Sequence, residues 1–374
     1  MLFLNASTLF CFSGFAFFFY ASLIISILLY VLPTLGENHF NHFSSFNNKS
    51  NFYYLKGTSL ASWFTQVYFL VGLIFSYCCF LENSIWMGHV VLTSFTKKII
   101  FLLIVVFLLY LYSFFSSAFF SSREIFDFLM VKINSLLWLY VLFLSNSILS
   151  SFFVIEVLSA LLFLMLVSSS FSSLTYYSSL DNSAHQFLGN VIPSTFLKSI
   201  IFFFWVSLIA SLNLFVFTLI MYTKLFSLDW YLLEHAFFYV VQTSSYSSTM
   251  LLGLMWYILI FSIFTKCGLA PFFFWKPTFF KGLTFTSIFY YICIFYFSLF
   301  LFFINFITNN FHFIFYFFHN IFIVLVILGL FMVLFLVLEA FYLKTFLAIS
   351  SILNSLMLFL AMSSSHVGDL ALTL

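Results

Sequence analysis

The chain has 374 residues, of which 64% are hydrophobic, 25% aromatic and only 6% charged, and its mean hydropathy is +1.19. So little polar surface excludes a soluble globular domain and indicates an all-α, polytopic membrane protein. A net charge of +2 gives no support to nucleic-acid binding, which needs a strongly basic face.

Phenylalanine is abundant (65) while Gly (11) and Pro (4) are scarce, which reads as compositional drift in an AT-rich, organellar genome. Five cysteines (Cys11, Cys78, Cys79, Cys267, Cys293) lie in or beside apolar runs, without C-x-x-C or Cys/His spacing. No metal, haem or iron–sulfur site in this chain follows from them.

A spanning helix needs about 20 apolar residues, and on that ruler the chain divides into about ten helices. The first runs from about Phe10 to Leu32; it lacks the basic leader and cleavage site of a signal peptide and reads as a retained span. A loop rich in Asn, Ser and His follows, then a second helix from about Leu60 to Leu81 and a third from about Ile99 to Phe120. Arg123, Glu124, Asp127 and Lys132 read as a solvated loop. Two helices, from about Ser135 to Ser150 and Phe152 to Val167, come next, and the second carries Glu156 among apolar neighbours.

The Ser/Tyr-rich stretch from Ser168 to Ser194, with Asp181 and His185, reads as a loop; a sixth helix then ends near Tyr222 and holds Lys198 just inside its start. Asp229, Glu234 and His235 among Trp and Tyr suggest an interfacial segment. From about Thr249 a long apolar run leads to Lys266, and Gly268 and Pro271 break the helix just after it. Further helices are expected from about Gly282 to Ile307, Ile321 to Leu338 and Leu343 to Met362. Basic residues in odd-numbered loops (Lys49, Lys56, Arg123, Lys132, Lys276, Lys281, Lys344) outnumber those in even ones (Lys97, Lys98, Lys224). Both termini therefore face the outer compartment.

A lysine at mid-bilayer costs roughly 3 kcal/mol, so Lys266 needs a partner or a wet path. Glu156 is the natural counterpart: burial disfavours each charge alone, and proximity restores both. The bland alternative is a purely structural ion pair. Lys198 fits either function or snorkelling to the interface. Glu339 and Lys344 read first as surface charges at the last hairpin, Lys276 and Lys281 as inner-headgroup lysines, and Ser350, Ser351 and Asn354 as polar glue between helices. His312 and His319 lack companions for a metal.

These residues resemble a family. Lys266, Gly268, Pro271, Phe272, Trp275, Pro277 and Gly282 match the signature K-x-G-x-x-P-F-H-x-W-x-P, with its later glycine, of the antiporter-like subunits of NADH:ubiquinone oxidoreductase, respiratory complex I. The subunit 2 branch of the mitochondrial enzyme is the nearest. Asn146, Glu156 and Ser159 are similar to that family's N-x9-E-x-x-S, and Lys344, Leu347, Ala348, Ser350, Ser351 and Ile352 to its K-R-L-L-A-Y-S-S-I. Lys198 sits in a short match to its sixth-helix lysine motif.

The resemblance implies an inverted-repeat fold with three segments: an N-terminal three-helix part (1–134), a first repeat holding the broken helix (135–308), and the first two helices of a second, truncated repeat with the tail (309–374). It implies a multi-pass protein of the mitochondrial inner membrane that transfers protons through Glu156, Lys266 and Lys198. FMN, iron–sulfur clusters and ubiquinone would belong to the parent complex, with none held by this chain. Partners would be other membrane-arm subunits, lipids such as cardiolipin, and a separate chain completing a split subunit; no nucleic acid is implied.

The departures matter too. Phe273 stands for the family histidine, Thr278 for an acidic residue, Asn354 for a histidine, and Tyr296 for the eighth-helix lysine. Proton relay at that place would run through Tyr296 itself, water or another chain, and three functions stay open: proton translocation, a structural spacer that has lost conduction, or a cation/proton antiporter subunit.

Overall fold

A computed structural model describes residues 83–85, 90–115, 122–178, 192–225, 228–230, 232–233, 235, 246–310, 315, 319–338 and 340–362. The expected first two helices, Asp181, His185, Glu234, His312, Glu339 and the final dozen residues lie outside this set. The described residues are nearly all helical. One correction to the all-α expectation is a small antiparallel ribbon, β1 (Asn83–Ile85) and β2 (Val90–Leu92), with Ser84 opposite Val91.

The helices are α1 (Ser94–Phe115), α2 (Ser122–Leu144), α3 (Ile148–Ser178), α4 (Ile192–Leu225), α5 (Tyr246–Cys267) and α6 (Trp275–Gly282). They continue as α7 (Phe285–Tyr290), a π-helical turn (Tyr291–Tyr296), α8 (Phe297–Asn310), α9 (His319–Leu338) and α10 (Leu343–Met362).

Capping chemistry corrects several boundaries drawn from hydropathy. Thr93 and Thr96 cap the start of α1 reciprocally: Thr96 N–H donates to Thr93 Oγ1 at 3.2 Å and Thr93 N–H to Thr96 Oγ1 at 3.0 Å. The helix therefore begins at Ser94 instead of near Ile99, because two orphan amides find acceptors there. Ser147 and Ser150 repeat the device before α3, at 3.2 and 3.3 Å. The chain thus turns at 145–147, and Ser150 is inside a helix. The segment at 228–230 pins that turn: Ile148 N–H donates to the Leu228 carbonyl at 2.9 Å and the Trp230 indole to the Ser145 carbonyl at 3.2 Å.

The supposed charged loop is the first half of α2, and Lys132 is 1% exposed. The supposed Ser/Tyr loop is helical as far as Ser178.

Among the described residues, four helical stretches are long and apolar enough to cross a membrane: Ile148–Ser168, Leu197–Lys224, Phe285–Ile307 and Leu343–Ala361. Asn134–Leu144, Gly253–Cys267 and Phe322–Leu338 are shorter apolar helices. The protein is a multi-pass membrane protein. The 285–307 stretch is the most enclosed of the four spans and forms the middle of the described bundle. α4 instead turns Phe204, Trp205, Leu212 and Phe215 outward, an apolar face that suits lipid or a neighbouring subunit and would be costly in water. α2 packs on α3, α4 on α5, and α9 on α10, while the short α6 is wedged against α3, α4 and α10.

Candidate functional site

The expected helix break is present. α5 stops at Cys267, one residue past Lys266, and α6 resumes at Trp275. Gly268 adopts φ +63°, a left-handed conformation that side chains other than glycine's resist. The space around it is closed as well: an added Cβ would lie 3.0 Å from Trp275 Cζ2 and 3.2 Å from Lys276 Cδ. Pro271 follows through a cis peptide bond with Ala270.

Non-helical backbone at membrane depth needs internal partners, and this break has them. Leu269 N–H donates to the Phe264 carbonyl at 2.9 Å, Phe272 N–H to the Leu269 carbonyl at 2.8 Å, and Gly268 N–H to the Thr265 carbonyl at 3.3 Å. The Trp275 indole N–H reaches back to the Thr265 carbonyl at 2.9 Å, satisfying an acceptor at the end of α5. Two glycines bring neighbouring helices onto this structure. Gly329 of α9 lies so close that a Cβ would approach the Ala270 carbonyl oxygen to 3.1 Å, and at Gly282 it would meet Ser199 Oγ at 2.6 Å.

Within this frame Lys266 Nζ donates to Glu156 Oε1 at 2.9 Å. The pair joins α5 to α3, whose residues are 110 positions apart in sequence. The lysine side chain is 6% exposed and the carboxylate 32%, so the lysine is held by packing while the carboxylate retains an open side. Beside them lies a cavity of ≈ 30 Å³ lined by Ser159, Ser207, Thr265, Lys266 and Trp275 among apolar residues. That is room for a water, with several polar partners around it. Ser159 Oγ itself donates to the Glu156 carbonyl at 2.7 Å, a bond within its own helix.

The remaining predicted residues are placed differently. Lys198 is exposed near the start of α4 and is not part of the pair. Ser350 and Ser351 donate to the carbonyls of Leu347 and Ala348 at 3.0 and 2.7 Å, and Asn354 is exposed on α10. Lys344 is more than a surface charge: its Nζ donates to the Leu283 carbonyl at 2.6 Å, tying the start of α10 to the end of α6. Tyr296 closes the π-helical turn and is buried.

Two lysines are corrected from surface to interior. Lys276, expected among inner headgroups, is fully buried, and its Nζ stands 3.5 Å from the centre of the Tyr296 ring. Lys132 Nζ donates to Tyr110 Oη at 2.8 Å and lies 5.3 Å from the Tyr290 ring centre, while Tyr290 Oη donates to the Lys132 carbonyl at 3.0 Å. The signal for both was present in the sequence: each is a lone cation in an apolar run, Phe-Phe-Phe-Trp-Lys and Phe-Leu-Met-Val-Lys. Among the described residues no three of His, Cys, Asp and Glu converge.

No protein-family model matches the sequence, and no curated protein does. Solved structures do. A chain of respiratory complex I from Thermus thermophilus shares the fold at TM-score 0.61 and 15% identity, over 92% of this chain and 64% of that one. A chain of the membrane-bound sulfane sulfur reductase, an archaeal respiratory membrane complex, matches at 0.64 and 12%, over 93% and 64%. A chain of the Mrp complex from Dietzia sp. matches at 0.63 and 12%, over 97% and 35%. The protein thus has the fold of subunits found in these membrane complexes, and spans less than two thirds of their length.

Proposed function

We propose that the chain is a proton-translocating, non-redox subunit in the membrane arm of a mitochondrial NADH:ubiquinone oxidoreductase. The observation that carries this reading is the Lys266–Glu156 ion pair at 2.9 Å, set at a helix break and beside a small polar-lined cavity. With the pair closed, the carboxylate stabilises the lysine's proton; as the two separate, the ammonium loses its counter-charge and can release that proton to water at Ser159, Ser207 and Thr265. Quinone reduction in other chains of the complex would drive the separation. Moving one charge against 100 mV costs about 2.3 kcal/mol, so each coupled step must supply at least that.

The fold shared with a complex I chain supports the reading, as do the matched motif residues. Carrying Lys266→Met into the assembled complex and measuring protons moved per electron tests it: loss of pumping is expected, and an unchanged ratio favours the structural spacer. Copurification with a flavin and iron–sulfur enzyme separates the complex I reading from the antiporter one.

A further inference from the structure

Lys276 is fully buried, and its ammonium makes no hydrogen bond with any described residue. No described carboxylate is paired with it. Burying an ammonium with neither a counter-ion nor a hydrogen-bond acceptor is costly, so a structural role alone accounts for it poorly. Its stem is fixed, since Cδ passes beside Gly268 and the first residue of α6, Trp275, fills the rest of that space. The nitrogen is thereby aimed at the face of Tyr296, 3.5 Å from the ring centre. A ring face at that distance accommodates the charged amine, and the absence of any obligatory acceptor accommodates the neutral one.

The location is specific. The cavity beside Lys266 is walled by Trp275, the residue before Lys276, and by Phe295, the residue before Tyr296. Lys276 itself lies beside the break, its Cδ 3.2 Å from where a Cβ at Gly268 would stand. The Tyr296 hydroxyl lies close to Ser355 of α10 without a hydrogen bond of good geometry. The π-helical turn ending at Tyr296 widens the helix there, and such turns recur at functional sites.

We propose that Lys276 is a second proton-carrying group, which accepts the proton leaving Lys266 and hands it on past Tyr296 toward α10. This rests on the translocation reading above. In the step an N–H bond of the Lys266 ammonium breaks and water relays the proton. A new N–H bond forms on the neutral Lys276 amine, one positive charge moves between them, and no electrons are transferred. Lys276 thus supplies, from the broken helix, the titratable amine that Tyr296 lacks.

The test uses the complex with full-length chain, reconstituted in liposomes, and compares Lys276→Met, Lys276→Arg and Lys266→Met for assembly, quinone-linked electron flow and protons moved per electron. The proposal expects both Lys276 variants to assemble and both to lose pumping, since arginine keeps the charge but does not give up its proton. A structural cation resting on Tyr296 would be rescued by arginine, and that rescue overturns the proposal. So does normal pumping by Lys276→Met, or failure of both variants to assemble, which would make the lysine a folding element. If Lys266→Met also pumps normally, the translocation reading itself falls; if it alone stops pumping, only the role of Lys276 does.

Discussion

Breaking the Glu156–Lys266 pair should cost different amounts depending on which partner is removed. Glu156→Gln leaves an ammonium whose side chain is 6% exposed without its counter-charge, facing only a neutral amide oxygen and the small polar-lined cavity. Removing one member of a buried pair costs about 3–5 kcal/mol, and this variant should fall near the lower figure. Lys266→Met strands a carboxylate that is 32% exposed and free to turn toward other donors, so roughly half that cost is expected. In the double variant both charges are gone, leaving a neutral amide facing a thioether. Its destabilisation should be less than the sum of the singles by about 2 kcal/mol, the size typical of directly contacting residues. Thermal melting of the intact complex, followed by retention of this chain on native gels, would measure the cycle. Additive effects within a few tenths of a kcal/mol would refute the reasoning, because they would show that the 2.9 Å contact carries no coupling.

Gly268→Ala places a Cβ in a left-handed residue and 3.0 Å from Trp275, and should destabilise the break by about 2–4 kcal/mol, visible as faster amide exchange at 268–276. Trp275→Phe keeps the aromatic packing but leaves the Thr265 carbonyl with only the 3.3 Å Gly268 bond; a loss of about 1–2 kcal/mol in melting stability is expected. Lys132→Met removes the 2.8 Å bond to Tyr110 from a well-filled site. Its effect on melting should be smaller than that of Tyr290→Ala, which would empty a ring packed against Phe107 and Tyr110 at about 3–5 kcal/mol.

Much of the site was legible because its components are local in sequence. A lysine followed by glycine and proline at the end of an apolar run announces a broken helix whatever surrounds it, and α5 does end at Cys267. Glu156 stood out for the same reason, as one carboxylate among Phe, Val, Ile and Leu. The misplaced boundaries share a different cause. Hydropathy counts side chains, whereas the ends of α1 and α3 are set by hydroxyls that accept backbone amides, at Thr93, Thr96, Ser147 and Ser150. Charge likewise misled at Lys132 and Lys276, because position in a loop was inferred from the presence of a cation.

Composition and spacing alone determined that this chain lives in a bilayer and that a helix fails beside Lys266, since both follow from the transfer cost of backbone and side chains along a single stretch. Tertiary structure decided which charges meet. Glu156 and Lys266 are 110 residues apart, and Lys276 of α6 meets Tyr296 of the π-helical turn, a different element. Pairing of that kind depends on how helices cross, and crossing is fixed by side-chain shapes from several spans at once.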